Sequence, residues 1–528
     1  MVKNYLKVAL RSLLKNRIFS LINITGLALG IAASLLIMQY VSYELSYDNF
    51  NQNANRIYRL KTNRYEKGVL STEWAAGVVS IGYLLNENLA DVEAYARLTQ
   101  TSGVFSRGDI EFAESKVYFA NPSVFDVFDT KILYGDKETA LVDPSSVAIS
   151  KTTAQKYFAK VDVVGETMYF NKNRPIKITA VFEDVPQNSH FKYDILASWS
   201  TMAQGERAQQ ANSVWYWDGY FNYVMLKEGV NPEEFAGKVD DFVEAQWGDE
   251  MRENETWMDF DLQPLRDIHL YSNYMMEAEV NGDGDAVYAL LGISFFIIII
   301  AWVNYINLAT AKSMERAREV GLRKVLGSLR GQLIRQFLTE SFLINLLAVV
   351  LAFGIVVLAL PSFARLADQP ITMELFMQQG FWVGLGALFL VGTFLSGLYP
   401  AMVLSSYKPI DTLKGGAVSG SRGAWLRKGL VVFQFMASVG LIIGTYTVYE
   451  QISFMRNQEL GVNIDRTLVI EGPSVRDSTY QEKLTAFGDV MEANANVRKV
   501  VVSTGVPGRS VDWNAGGIRR QGEPDTEG

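Results

Sequence analysis

The 528-residue chain has no cysteine, only two histidines, and five long stretches without one charged residue. Lack of cysteine excludes disulfides and thiolate metal sites, so any domain here is held by packing and hydrogen bonds. His190 and His269 alone offer little to a histidine-based metal site or a catalytic relay. The uncharged stretches are Ile18–Tyr43, Ala286–Ala311, Ser341–Ala364, Leu375–Tyr407 and Gly429–Tyr449, each at least 21 residues long. About 20 apolar residues cross a bilayer, so the sequence predicts five membrane spans. Proton relays and ion-coupled transporters keep ionisable groups at membrane depth, and the spans hold none. This argues against secondary transport and against a charged channel filter. Asn304 and Asn307 in the second span remain as groups that hydrogen-bond between helices.

The charges that exist are sorted by side. Segments 1–17, 312–340 and 408–428 hold 17 Lys/Arg against 4 Asp/Glu, namely Glu315, Glu319, Glu340 and Asp411. The rest of the chain holds 32 Lys/Arg against 53 Asp/Glu. This is the positive-inside pattern, and it predicts a cytoplasmic N-terminus and a large acidic domain outside. Lys3, Lys7, Arg11 and Lys15 recur on one helical face, as in an interfacial helix on the inner leaflet. The apolar run after them is too long for a signal peptide and reads as an uncleaved anchor.

The predicted organisation is a basic interfacial helix and first span (1–43), an extracytoplasmic α+β domain (44–285), the second span (286–311) and a cytoplasmic segment (312–340). Then come spans at 341–364 and 375–407, a Gly-containing cytoplasmic loop (408–428), a fifth span (429–449) and an outer segment (450–528). Pro400 is expected to end or kink the fourth span. In the outer domain, Arg56–Lys61, Val92–Leu98, Ile176–Phe182 and Trp257–Leu262 read as strands. Ser80–Leu89, Lys151–Phe158 and Asn231–Trp247 read as helices, and the mixture suggests α+β in two subdomains. The fold class is thus an α-helical transmembrane bundle plus α+β extracytoplasmic domains.

A repeat is also expected. Gly26–Gly30 (GLALG) in span 1 matches Gly440–Gly444 (GLIIG) in span 5, and Leu85–Leu98 resembles Val490–Ser503. The second stretch predicts a helix end, an Asn-rich turn and a strand starting near Val497. On this reading 450–528 starts a second outer domain, and the second copy is truncated. The alternative is a five-span protein with a disordered tail. Gly26/Gly30 and Gly440/Gly444 are small-xxx-small pairs that suit a span 1–span 5 interface, within a chain or between copies, or are chance glycines.

The cytoplasmic segment SMERAREVGLRKVLGS (313–328) combines Glu315, Arg316, Arg318, Glu319, Arg323 and Lys324 with an apolar stripe of Leu322, Val325, Leu326, Leu329, Leu333 and Phe337. Gly321 and Gly327 break it into short pieces. It is either a docking element for a partner or a solvated loop. Trp215, Tyr216, Trp217, Tyr220, Phe221 and Tyr223 form an aromatic cluster that is either core or contact surface. No P-loop is present, since the Gly-Lys pairs do not fit its spacing. No constellation supports a catalytic outer domain.

ERAREVGLRKVLGS, between a span and ESF, resembles the segment after the second span of MacB/FtsX-type ABC permeases. So do NYLKVALRSLLKNRIFSLINITGLALGIAASL, YELSYDNF, DVPQNSHFKYDILAS, LQPLRDIHLYS, GLYPAMVLSSYKPIDTLKG and LRKGLVVFQFMASVGLIIGTYTVYEQISFM. The resemblance is to stand-alone permeases with a MacB-like periplasmic core domain, of the Bacteroidetes type. It implies two units and eight spans, the bacterial inner membrane, and a separate cytoplasmic ABC ATPase that carries ATP and Mg. That ATPase would dock on Glu315, Arg316, Arg318, Glu319, Gly321, Leu322, Arg323, Lys324 and Gly327, with Tyr407–Lys414 as a second contact. The implied role is mechanotransmission, with efflux or export of drugs, peptides or lipoprotein-like cargo. Implied partners are a second permease copy, a periplasmic adaptor, an outer-membrane exit protein and membrane lipid, and no nucleic acid. The alternative within the resemblance is an FtsX-like regulator of an extracytoplasmic cell-wall hydrolase.

Overall fold

The computed structural model describes residues 2–312, 320–406, 421–458, 466–473, 479–503 and 506. The chain divides into two units, one of residues 1–45 with 284–459, the other of 46–283 with 460–528. The first is helical: α1 (Val2–Lys15), α2 (Arg17–Glu44), α3 (Gly284–Ala311), α4 (Arg330–Ala367), α5 (Gln379–Ser406) and α6 (Ser421–Asn457). Among the described residues, four helices are long and apolar enough to cross a membrane: α2, α3, α4 and the Lys428–Asn457 part of α6. In α5 the described apolar stretch, Gln379–Leu395, is shorter. Its backbone stays helical through residue 400 to Ser406, so the helix does not end at Pro400. α4 begins at Arg330, well before its uncharged stretch, and so absorbs the second half of the predicted cytoplasmic segment.

Helices in lipid gain little from the hydrophobic effect and are joined by close packing and neutral hydrogen bonds. α3 supplies most of these. Ser294 and Ser34 of α2 bond through their hydroxyls at 2.5 Å, and Ser34 Oγ also donates to the Ser294 carbonyl at 3.1 Å. A Cβ on Gly30 would lie 2.8 Å from the Ala301 methyl, so only glycine permits this approach. Tyr305 bonds Ser341 of α4 at 2.9 Å, and Asn307 Nδ2 donates to Gln434 of α6 at 3.3 Å. The interhelical role expected of Asn307 is therefore met. The Gly26/Gly30 pair, however, faces α3 and not the fifth span. A Cβ on Gly440 or Gly444 would meet nothing within 4 Å. The span 1–span 5 pairing within the chain is corrected: α3 already fills the notch that Gly30 opens.

The outer unit is built on one mixed eleven-stranded sheet. Its strands are β1 (Ile57–Glu66), β2 (Val69–Trp74), β3 (Val92–Arg107), β4 (Ile110–Ala120), β5 (Ile132–Gly135) and β6 (Ser146–Ser150), followed by β7 (Thr167–Phe170), β8 (Arg174–Phe182), β9 (Ile195–Ser198), β10 (Phe221–Leu226) and β11 (Thr256–Pro264). The order is β11-β1-β10-β3-β4-β9-β6-β8-β5, with β2 on β1 and β7 joining β3 to β8. Only β4/β9 and β6/β8 run parallel among these pairs. The strands expected near 57, 92, 176 and 257 all form, as do the three expected helices. The two expected subdomains are not separated by a gap in the sheet, because β3 is 16 residues long and serves both ends. Its register shifts between Thr101 and Gly103, where Phe170 packs so close that a Cβ on Gly103 would clash at 2.3 Å.

Each end has its own core. The helix Pro232–Glu253 starts at Asn231, whose Oδ1 accepts the Glu233 N–H, with Pro232 in its first turn. Its Phe235, Val239, Val243, Trp247 and Met251, four residues apart, cover Leu60, Val224, Met258 and Phe260. The helix Lys151–Phe158 starts at Ser150, whose Oγ accepts the Thr153 N–H, and packs Ala154 and Tyr157 with Val147, Ile149 and Ile178. Between these lies an aromatic core of Tyr118, Phe125, Phe128, Phe182, Phe191 and Tyr223. In the later segment, Tyr480–Glu492 is helical as expected, but residues 497–503 pair with no strand among the described residues. A strand needs a neighbour for its backbone groups, and the described residues supply none there.

Asp218 shows what burial costs in this sheet. Its carboxylate sits 3.0 Å from Arg64, yet desolvation outweighs that charge and pushes its pKa up to about 6. A carboxyl whose pKa is raised on folding adds stability below its unfolded value near 4, and this is lost as pH rises through about 6. Two pK units correspond to roughly 3 kcal/mol. Asp218→Asn should therefore flatten the fall in unfolding temperature between about pH 4 and 6. In the bundle, Gly30→Leu should lower thermal stability in detergent by about 1–3 kcal/mol through overpacking against Ala301.

Candidate functional site: the segment between α3 and α4

The segment following α3 resumes, among described residues, as a helical turn over 320–325. Gly327 ends it with φ +94°, and the N–H groups of Gly327 and Ser328 donate to the carbonyls of Lys324 and Arg323. This is a Schellman stop, which needs a left-handed residue that glycine adopts without strain. Leu329 then leads into α4, its N–H donating to Gln332 Oε1 at 3.1 Å.

The turn is held from one side. Val320, Leu333 and Phe337 form a small buried cluster. Arg323 Nη1 donates to Gln336 Oε1 at 2.6 Å. The predicted apolar stripe is thereby split. Leu333 and Phe337 turn inward, whereas Leu322, Val325, Leu326 and Leu329 are 55%, 61%, 78% and 69% exposed. Gly321 is buried and Lys324 half-buried. The result is an apolar knob on a braced base. Glu315, Arg316, Arg318, Glu319 and the second contact at Tyr407–Lys414 lie outside the described residues. Val320 and Gln336, which brace the knob, escaped the sequence reading.

The aromatic cluster resolves mainly as core. Trp215 packs with the long helix, and Phe221 and Tyr223 enter the central core. Trp217 and Tyr220 pack around Trp199, and Tyr216 alone is exposed, at 55%.

Two family models match the chain. The MacB-like periplasmic core domain matches residues 20–242, and the FtsX-like permease C-terminal matches residues 291–409. The chain belongs to the MacB/FtsX family of ABC transporter permeases. Both models describe permease-type parts, and no ATPase domain is among them. The second match runs across the braced knob. This permease is similar to the macrolide export ATP-binding/permease protein MacB of Neisseria meningitidis, 23% identical over 60% of this chain and 46% of that one. It is also similar to the ABC transporter permease YvrN of Bacillus subtilis, 22% identical over 78% of this chain and 99% of that one. A solved permease domain from Porphyromonas gingivalis, 23% identical, covers 40% of this chain and 91% of that one, with a TM-score of 0.34. The chain spans about half the length of the MacB relatives it matches.

Gly327→Ala should cost about 1 kcal/mol, because alanine is strained at positive φ. Hydrogen exchange at residues 322–328 should rise accordingly, with exchange in α2 unchanged.

Proposed function

We propose that this permease works with a separate cytoplasmic ABC ATPase that docks on residues 315–328, so that ATP- and Mg-driven closure of the ATPase moves the membrane helices and, with them, the outer domain. The observation that carries this reading is the knob: four large apolar side chains exposed on a turn braced by Val320, Leu333, Phe337 and the Arg323–Gln336 bond. A solvated loop would hide or lack such residues, whereas a docking element needs them outward and preorganised. Arg323 and Lys324 beside them, with Glu315, Arg316, Arg318 and Glu319, supply charge complementarity at the rim. Tyr407–Lys414 is the second contact. The charge sorting supports a cytoplasmic N-terminus in the inner membrane, with the domain boundaries of the sequence reading.

The work performed is on the far side of the membrane: mechanotransmission serving export of drugs, peptides or lipoprotein-like cargo, with a periplasmic adaptor, an exit protein and a second permease copy as partners. The match of GLALG to GLIIG and the helix Tyr480–Glu492 support a second unit beginning at α6.

The test is purification of the tagged chain from its own cell in mild detergent, with mass spectrometry of what accompanies it. A P-loop ATPase should co-purify, and Leu326→Asp or Arg323→Glu should reduce its recovery at least tenfold, about 1.4 kcal/mol of lost binding. An adaptor in the same fraction points to export, and a cell-wall hydrolase to the regulatory role. Recovery of the ATPase undiminished by both substitutions overturns the knob as its docking site.

A further inference from the structure

Three motif segments without a part in ATPase docking meet inside the outer unit: YELSYDNF, NSHFKYD and RDIHLYS. The chain enters this unit at Ser46 and leaves it at Asp283. Just inside, Asp48 is 1% exposed and has φ +57°, a left-handed conformation that aspartate tolerates better than most residues. Its Oδ1 lies 2.9 Å from Nδ1 of His190, and its carboxylate also accepts the His190 backbone N–H. Its own N–H donates to the Asn188 carbonyl, while Asn188 Nδ2 donates to the carbonyl and hydroxyl of Ser46, both at 3.0 Å. His190 Nε2 is 2.8 Å from the Tyr223 hydroxyl on β10. The neighbouring Tyr47 lies flat on His269, with ring centroids 3.3 Å apart and planes 2° from parallel. Both histidines of the chain thus grip two consecutive residues of the incoming segment.

The outgoing segment is held as firmly. Glu277 pairs bidentately with Arg59 of β1, at 2.7 and 2.9 Å. Arg59 is fully buried and also donates to Gln263 of β11 at 2.6 Å and to Ser272 at 2.7 Å. Ser272 bonds Glu277 in turn. Asn281 Nδ2 donates to the carbonyls of Ile268 and Ser272, and the Gly282 N–H to that of His269.

Apolar contacts permit sliding, but a buried carboxylate held by polar partners does not, because displacement strands it without compensation. We propose that Asp48–His190–Tyr223 and Arg59–Glu277 are two latches that pass displacement of α2 and α3 to the neighbouring strands β10 and β1. They are positioning residues for the coupling reading, and this inference rests on it. The apolar cores hold the sheet together; the latches fasten the incoming and outgoing chain to it.

The lack of native cysteine makes the test direct. The full chain, co-purified with its ATPase and reconstituted in nanodiscs, carries spin labels at Lys172→Cys and Gln378→Cys. The label distance is measured without nucleotide and with ATP plus vanadate, in the unaltered background and in Asp48→Asn and Glu277→Gln. The unaltered background should show a nucleotide-dependent change. Both variants should lose it while still hydrolysing ATP, and should show faster hydrogen exchange in residues 46–51 or 272–283 with β6 and β8 protected as before. A Ser46→Cys/Asn188→Cys disulfide in the Asp48→Asn background, without spin labels and read by hydrogen exchange and by ATP-dependent protection of the outer unit from protease, should restore the response. A responding background whose two variants respond equally overturns the latches alone. A background with no nucleotide response overturns the coupling reading and the latch role together.

Discussion

The membrane unit depends on one constraint: uncharged stretches of helix must still recognise one another in a medium that gives them no hydrophobic reason to associate. α3 meets it with short-range devices along one helix. Ser294 bonds α2, Ala301 fills the notch at Gly30, Tyr305 reaches α4, and Asn307 reaches α6. Trp302 lies where a Cβ on Gly392 of α5 would clash, at 2.5 Å, and Lys312 at the end of α3 bonds Asn16 between α1 and α2. Each contact is modest, but all share one rigid helix. A displacement imposed just beyond α3 is therefore felt by the helices packed on it.

This gives the knob its meaning. It sits between α3 and α4, braced to the start of α4 by Leu333, Gln336 and Phe337. A partner that pushes on Leu322 or Leu326 works against a short, anchored turn and not a slack loop. The outer unit follows a different rule. Its chain continues from α2 and into α3, and there the connections are secured by buried polar groups, which are costly to bury and costly to break. Apolar packing fills the sheet, and polar pairing fastens its ends.

The outer elements were legible where local pattern and global packing agree. Ile176–Phe182 alternates, and its inward residues Ile176, Ile178 and Ala180 are buried. Asn231-Pro232 announces a helix whose apolar residues fall every fourth position. The segment after Val497 carries the same local signal as β3 but has no partner strand among the described residues, which is a tertiary fact. The aromatic run 215–223 was ambiguous for the same reason: its rings enter three separate cores, and no short window reveals that. The knob was half legible, since periodicity marks an apolar stripe but not which members face the bundle.

Composition and charge order, by themselves, determined that this chain is a membrane protein with a basic side, an acidic domain and no ATP-binding motif. These are properties of long windows, in which transfer free energies add up regardless of neighbours. Which small residues meet, which leucines remain outside, and which charges pair were decided only by the tertiary structure. Gly26/Gly30 and Gly440/Gly444 look alike as sequence, yet the first pair faces α3 and the second faces open space. Asp48 and His190 are 142 residues apart, and Arg59 and Glu277 are 218 apart. Pair energies depend on distances of a few ångströms, and chain folding alone sets those distances.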